Sequence, residues 1–101
     1  MNIDNSKYLI IVIDDDEVTR LSIGQMLQLR KYQIKIFSSA EAVLAYSDLY
    51  KVDCAITDIK MPGMNGEEFL SEVNRLQFQF PVIMITGHGD ISMAVRCLKN
   101  G

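Results

Sequence analysis

A carboxylate that closes an apolar run and is followed at once by turn-forming residues is a side chain delivered to a rim. Asp58 is placed in this way: Cys54-Ala55-Ile56-Thr57 leads into it, and a loop with Pro62, Gly63 and Gly66 follows. A second apolar run, Tyr8 to Ile13, ends on Asp14 and Asp15. If the two runs lie side by side as parallel strands, three carboxylates converge at one edge and repel one another unless a hard cation is present. Mg2+ suits an oxygen-only site and keeps several waters, so a few carboxylates and a carbonyl suffice. A carboxylate can also act as a nucleophile toward phosphorus, provided the phosphoryl charge is neutralised and the reactants are held in line. Thr86, at the end of a fourth apolar run, offers a hydroxyl to a phosphoryl oxygen. Plainer readings exist for each part. Asp14-Asp15-Asp16-Glu17 taken alone is an acidic strand-to-helix turn, with one Asp capping and the others complementing the dipole. Thr86 taken alone is a strand-end turn residue before Gly87. A second acid-terminated strand weighs against the first of these.

The elements that must position these groups are legible as an alternation. Tyr8 to Ile13 is nearly continuous aliphatic sequence, as a central parallel strand covered on both faces requires. From Glu17 to Leu29, Val18, Leu21, Met26 and Leu29 recur at helical spacing with Arg20, Gln25 and Gln28 between them, which predicts a first helix with those four as its apolar residues. Gln33 to Phe37 alternates as an edge strand does. Ser38 followed by Glu41 matches a capping box and opens a second helix through about Tyr50, with Val43, Leu44 and Leu49 inward. Cys54 to Thr57 is the third strand. Glu67 to Leu76 is a third helix, with Phe69, Leu70, Val73 and Leu76 at helical spacing and two acids in its first turn. Val82 to Ile85 is a fourth strand, and Asp90 caps a last helix that Asn100 and Gly101 close. Alternation of this kind implies an open, doubly wound α/β parallel sheet. In strand order 2-1-3-4 the ligand crevice falls between strands one and three, where Asp14, Asp15 and Asp58 stand.

Composition bounds the rest. The 101 residues make about one small domain, and 49% hydrophobic content supports a real core. A net charge of -3 with no Lys/Arg stripe excludes a nucleic-acid-binding surface in this segment. Met1 to Lys7 is polar and the apolar run after it is too short for a signal peptide or a membrane span, so the cytoplasm is the expected compartment and no membrane partner is expected. Cys54 and Cys97 lie in apolar segments with no metal-type spacing and read as reduced, buried thiols.

Three blocks together carry a specific likeness: Val12-Ile13-Asp14-Asp15-Asp16, then Thr57-Asp58-Ile59-Lys60-Met61-Pro62-Gly63-Met64-Asn65-Gly66, then Ile85-Thr86-Gly87-His88-Gly89-Asp90. Over essentially its whole length the chain resembles the receiver domain of bacterial two-component response regulators. Its last segment is similar to the FixJ-like branch, whose members usually carry a separate DNA-binding domain. The resemblance implies a flavodoxin-like receiver fold over residues 1–101 and phosphorelay signalling. Asp58 would be the phosphoacceptor, served by a sensor histidine kinase. Asp14, Asp15 and Asp58 would hold Mg2+ together with the backbone carbonyl of Lys60, and Thr86 would be the switch hydroxyl. Such a domain is no enzyme beyond its own phosphorylation and dephosphorylation, and would control an attached or separate transcription output. Asp16 falls where the family varies and is left out of the site, the Lys60 side chain is expected to face solvent, and His88 reads as a loop residue. Receivers continue with a fifth strand, which brings a Lys to the phosphoryl group, and a fifth helix, and this sequence has neither. It therefore reads as a truncated receiver whose strand-four edge would pair with, or exchange an element with, a second copy.

Two other readings use the same residues. Ile11-Val12-Ile13-Asp14-Asp15-Asp16-Glu17-Val18 also resembles the opening of haloacid-dehalogenase-like phosphatases, where Asp14 would be the nucleophile and Asp16 the acid/base, but the chain is too short for that fold's remaining parts. The other is a non-phosphorylated interaction module that keeps the receiver fold, against which the complete acidic triad argues.

Overall fold

The computed structural model describes residues 4–85. Leu9–Ile13 form β1, buried from Ile10 onward because neighbours flank it on both sides. Gln33–Phe37 form β2, Cys54–Asp58 β3 and Val82–Ile85 β4. All pairings are parallel and the order is β2-β1-β3-β4, the flavodoxin-like arrangement expected from the sequence. Between the strands run α1 (Glu17–Leu29), α2 (Ala40–Leu44) and α3 (Gly66–Arg75).

Because side chains alternate across a strand, β1 feeds two separate cores. Ile10 and Val12 pack with Ile23 and Leu27 of α1 and Ile56 of β3. Ile11 and Ile13 face the other way, toward Val43 of α2 and Phe69 and Val73 of α3. The sheet is thus covered on both faces, and each fully buried side chain of this size contributes roughly 1.5–3 kcal/mol. Sixteen residues stand between β2 and β3, and α2 uses only five of them.

Three local readings are corrected. The inward face of α1 is Thr19, Ile23, Gly24 and Leu27, whereas Val18, Leu21 and Leu29 are exposed and Met26 is half-buried. The helix carries aliphatic side chains on two faces, so apolar spacing alone did not fix its phase. The second helix is capped by Ser39, whose Oγ accepts from the Ala42 N–H at 3.2 Å, and it ends at Leu44 rather than near Tyr50. The Tyr46 ring packs on Phe37, with centroids 5.7 Å apart, and a 3-10 turn at Leu49–Lys51 buries Leu49 instead. The third helix begins at Gly66 behind an Asn65 cap: Asn65 Oδ1 accepts from Glu68 N–H at 2.8 Å, while the Glu68 carboxylate accepts from Asn65 N–H at 3.0 Å. The expected last helix, its Asp90 cap, Cys97 and the Asn100-Gly101 close lie outside the described residues. Among the described residues no helix is long and apolar enough to cross a membrane.

Candidate functional site

Register decides what meets at the carboxyl ends of the strands. Ile13 of β1 stands opposite Thr57 of β3, so the next residue along each strand, Asp14 and Asp58, reaches the same rim. The structure brings together all three acids singled out in the sequence: Asp14, Asp15 and Asp58 each offer a carboxylate oxygen, and these oxygens lie within 4.8 Å of one another. Asp14 is buried, Asp58 half-buried and Asp15 exposed. Burial pushes the Asp14 carboxyl above the usual carboxylate range. The Asp16 N–H, donating to Asp14 Oδ1 at 2.9 Å, pulls it down, and the charges of Asp58, Asp15 and Asp16 push it up again. An all-oxygen cluster with one acid destabilised by burial and by like charge is a donor set that fits a hard divalent cation.

The turn after β1 is built to hold this geometry. Asp16 is the N-cap of α1, with Oδ2 accepting from the Thr19 N–H at 2.9 Å and from the Thr19 hydroxyl at 2.8 Å. It is thereby engaged as a cap. Arg20, one turn into α1, donates to the Asp14 carbonyl at 2.7 Å and ties the helix back to the strand end.

The loop after Asp58 is fixed at several points. The Ile59 N–H donates to the Ile85 carbonyl at 3.1 Å, and the Ile59 carbonyl accepts from the Gly66 N–H at 2.9 Å. A Cβ on Gly66 would stand 2.6 Å from the Asp58 carbonyl oxygen, so the close return of the chain requires glycine there. Met61 is buried in the core beside α3. Lys60 is exposed between the tied Ile59 and the anchored Met61. Asp58 stands opposite Ile85 of β4; the next residue, Thr86, lies outside the described residues, as does His88. Cys54 is a free, buried thiol whose pKa is pushed up to about 12, by burial first and by Asp53 second, and it takes no part in the site.

Sequence reasoning missed three supporting residues. Asn65 had a signal, since Asn followed three residues later by Glu68 is itself a capping pattern. Met61 and Arg20 had none, because their partners are set by the tertiary fold.

Residues 10–101 match the response regulator receiver domain. The chain is 39% identical over 94 residues to the transcriptional regulatory protein FixJ of Rhizobium meliloti (strain 1021), covering 93% of this chain and 46% of that protein. Over 92 residues it is 37% identical to the C4-dicarboxylate transport transcriptional regulatory protein DctD of the same organism, covering 91% of this chain and 20% of that protein. Among solved structures, the crystal structure of FixJ-N superposes with a TM-score of 0.71 at 40% identity, covering 93% of this chain and 75% of that one. The chain spans less than half the length of the curated relatives it matches first.

Proposed function

The chain belongs to the response regulator receiver domain family, and from that premise we propose that it accepts a phosphoryl group from a sensor histidine kinase on Asp58 in a Mg2+-dependent reaction. The observation that carries this reading is the meeting of three carboxylates within 4.8 Å at the sheet's carboxyl rim. In the reaction a bond forms between an Asp58 carboxylate oxygen and phosphorus as the bond from phosphorus to the donor's imidazole nitrogen breaks. Asp14 and Asp15 would hold Mg2+ with Asp58 and the Lys60 carbonyl. The bound ion supplies neutralisation of the phosphoryl charge. Asp14, buried and fixed by the Asp16 N–H, is the rigid ligand. Asp58, half-buried, keeps an oxygen toward the rim for attack. The Thr86 hydroxyl would then bond a phosphoryl oxygen.

On this reading residues 1–101 form one receiver domain that acts in the cytoplasm and catalyses only its own phosphorylation and dephosphorylation. Its phosphorylation would control a transcription output, attached or separate, and the domain itself would not bind nucleic acid. The relatives' printed names, two of them transcriptional regulatory proteins, support that output.

The test is intact-mass measurement after incubation with acetyl phosphate and Mg2+. The wild-type chain gains one phosphoryl group, while Asp58→Asn gains none, and chelation of Mg2+ blocks the reaction. Equal labelling of Asp58→Asn would overturn the assignment.

A further inference from the structure

One carboxylate of α2 works outside its own helix. Glu41 stands in the first turn of α2, yet its Oε2 accepts from the Met64 N–H at 3.3 Å, 23 residues further along the chain. The same oxygen lies over Gly63, so close that a Cβ there would collide with it. Gly63 holds a φ of 74°, a left-handed conformation that glycine adopts freely. The loop between β3 and α3 is secured at its ends by Ile59 and Gly66 and in its middle by the burial of Met61. In its outer stretch Pro62 and Gly63 are exposed, while the Met64 side chain packs against the core. Among the described residues, the side-chain hydrogen bond that ties this stretch to the rest of the molecule is the one from Glu41.

We propose that Glu41 is a positioning residue for the acid site: its carboxylate holds the β3–α3 loop in place and so presents the Lys60 carbonyl at the rim before any cation arrives. The inference rests on the reading of Asp14, Asp15, Asp58 and the Lys60 carbonyl as a Mg2+ site. Its physical content is preorganisation. A loop already held in its binding conformation loses little freedom when the ion binds, whereas a loop whose outer stretch is released from α2 keeps only its ties at Ile59, Met61 and Gly66 and must order the remainder at that moment, and the cost appears in affinity. Once the site is saturated the loop is ordered either way, so the phosphorylation step is little affected. Glu41 touches neither phosphorus nor the ion and is not a catalytic residue.

The experiment compares the wild-type chain with Glu41→Ala, Glu41→Gln, Gly63→Ala and the Glu41→Ala/Gly63→Ala double variant. Mg2+ affinity is measured by titration calorimetry, and the loop by amide NMR shifts of Lys60 to Met64 in the metal-free protein. The phosphorylation rate is measured with acetyl phosphate at saturating Mg2+. Glu41→Ala should raise the Mg2+ Kd roughly tenfold, the lower end of what losing a supporting partner costs a metal site. It should also shift the metal-free loop amides and leave the saturated rate within about twofold of wild type. Glu41→Gln, which keeps an acceptor oxygen, should recover most of the affinity. Gly63→Ala should weaken binding in the wild-type background and do so less when Glu41 is already alanine, because the collision is gone. A Glu41→Ala protein with wild-type Kd and unchanged loop amides overturns the proposal, even if it melts at a lower temperature. A wild-type chain that binds no Mg2+ overturns both this inference and the reading beneath it, whereas normal wild-type binding with an indifferent Glu41→Ala overturns this inference alone.

Discussion

Asp14 is the residue at which folding and the proposed metal-binding role oppose each other. Burial raises its pKa most, the Asp16 N–H partly offsets that, and Asp58 and Asp15 add to the rise. A carboxyl whose folded-state pKa lies above its unfolded value favours folding while protonated. That contribution is full below the ordinary carboxylate pKa and is lost as pH rises through the higher folded value. At neutral pH the metal-free protein therefore carries an unfavourable charge that a cation relieves. Asp14→Asn keeps the acceptor for the Asp16 N–H and removes the charge. In the presence of chelator it should raise the neutral-pH melting temperature by several degrees, about 1 kcal/mol being worth roughly 4–8 °C in a domain of this size. The advantage over wild type should vanish in acid, below the ordinary carboxylate pKa, where Asp14 is protonated anyway. Melting curves across pH with and without Mg2+ check this, and a metal-free Asp14→Asn protein no more stable than wild type at neutral pH would refute it. The same titration predicts weaker Mg2+ binding as pH falls through the raised pKa, since proton and ion compete for one carboxylate.

At the scale of elements, two helices end in the same strained way. Lys31 follows α1 with φ 71° and Gln77 follows α3 with φ 65°. In each case the next two backbone N–H groups close a Schellman motif: Lys31 to Gln28 and Tyr32 to Leu27, then Gln77 to Asn74 and Phe78 to Val73. Tyr32 packs into the core of Leu27 and Phe78 into that of Val73, the apolar contact that accompanies the motif. Glycine would adopt the left-handed conformation without a Cβ penalty of about 1–2 kcal/mol per residue, though it also gains freedom in the unfolded chain. Lys31→Gly and Gln77→Gly should each stabilise by up to about 1 kcal/mol, read as a higher denaturant midpoint at unchanged slope. Neither helix end was visible as a glycine signal in the sequence, although the last residue of α1 was placed correctly by its apolar spacing. The strands were legible nearly residue for residue, because short apolar runs bounded by turns leave little choice. The extent of α2 was not: nothing in residues 45–50 breaks a helix, and the packing of Tyr46 and Leu49 overrides local preference. Glu41 failed for a related reason. Its spacing from Ser38 suits a cap, and a partner 23 residues away leaves no local trace.

For the molecule as a whole, the acids were legible because two strands end on them and the strand order follows from the alternation. What the order could not supply was the support beneath, from Arg20, Met61 and the tied loop, which depends on how the layers dock. The order also sets the edges. Among the described residues β4 pairs with β3 alone, and this is the edge at which the proposed association between copies of the chain would occur. Light scattering at tens of micromolar, roughly where exposed edges begin to associate, should detect species larger than a monomer, and a strict monomer there would defeat the idea. The two-sided burial of β1 has a further consequence. Alternate residues of this strand belong to different layers, and its last step sets Asp14 level with Asp58, with Asp15 beside them. One inserted residue between Leu9 and Ile13 would turn the downstream half over, send aliphatics into the wrong layer and carry both acids past their counterpart. Side chains in that strand can be exchanged for others of similar bulk, but a frameshift of one position there should cost both the core and the chemistry.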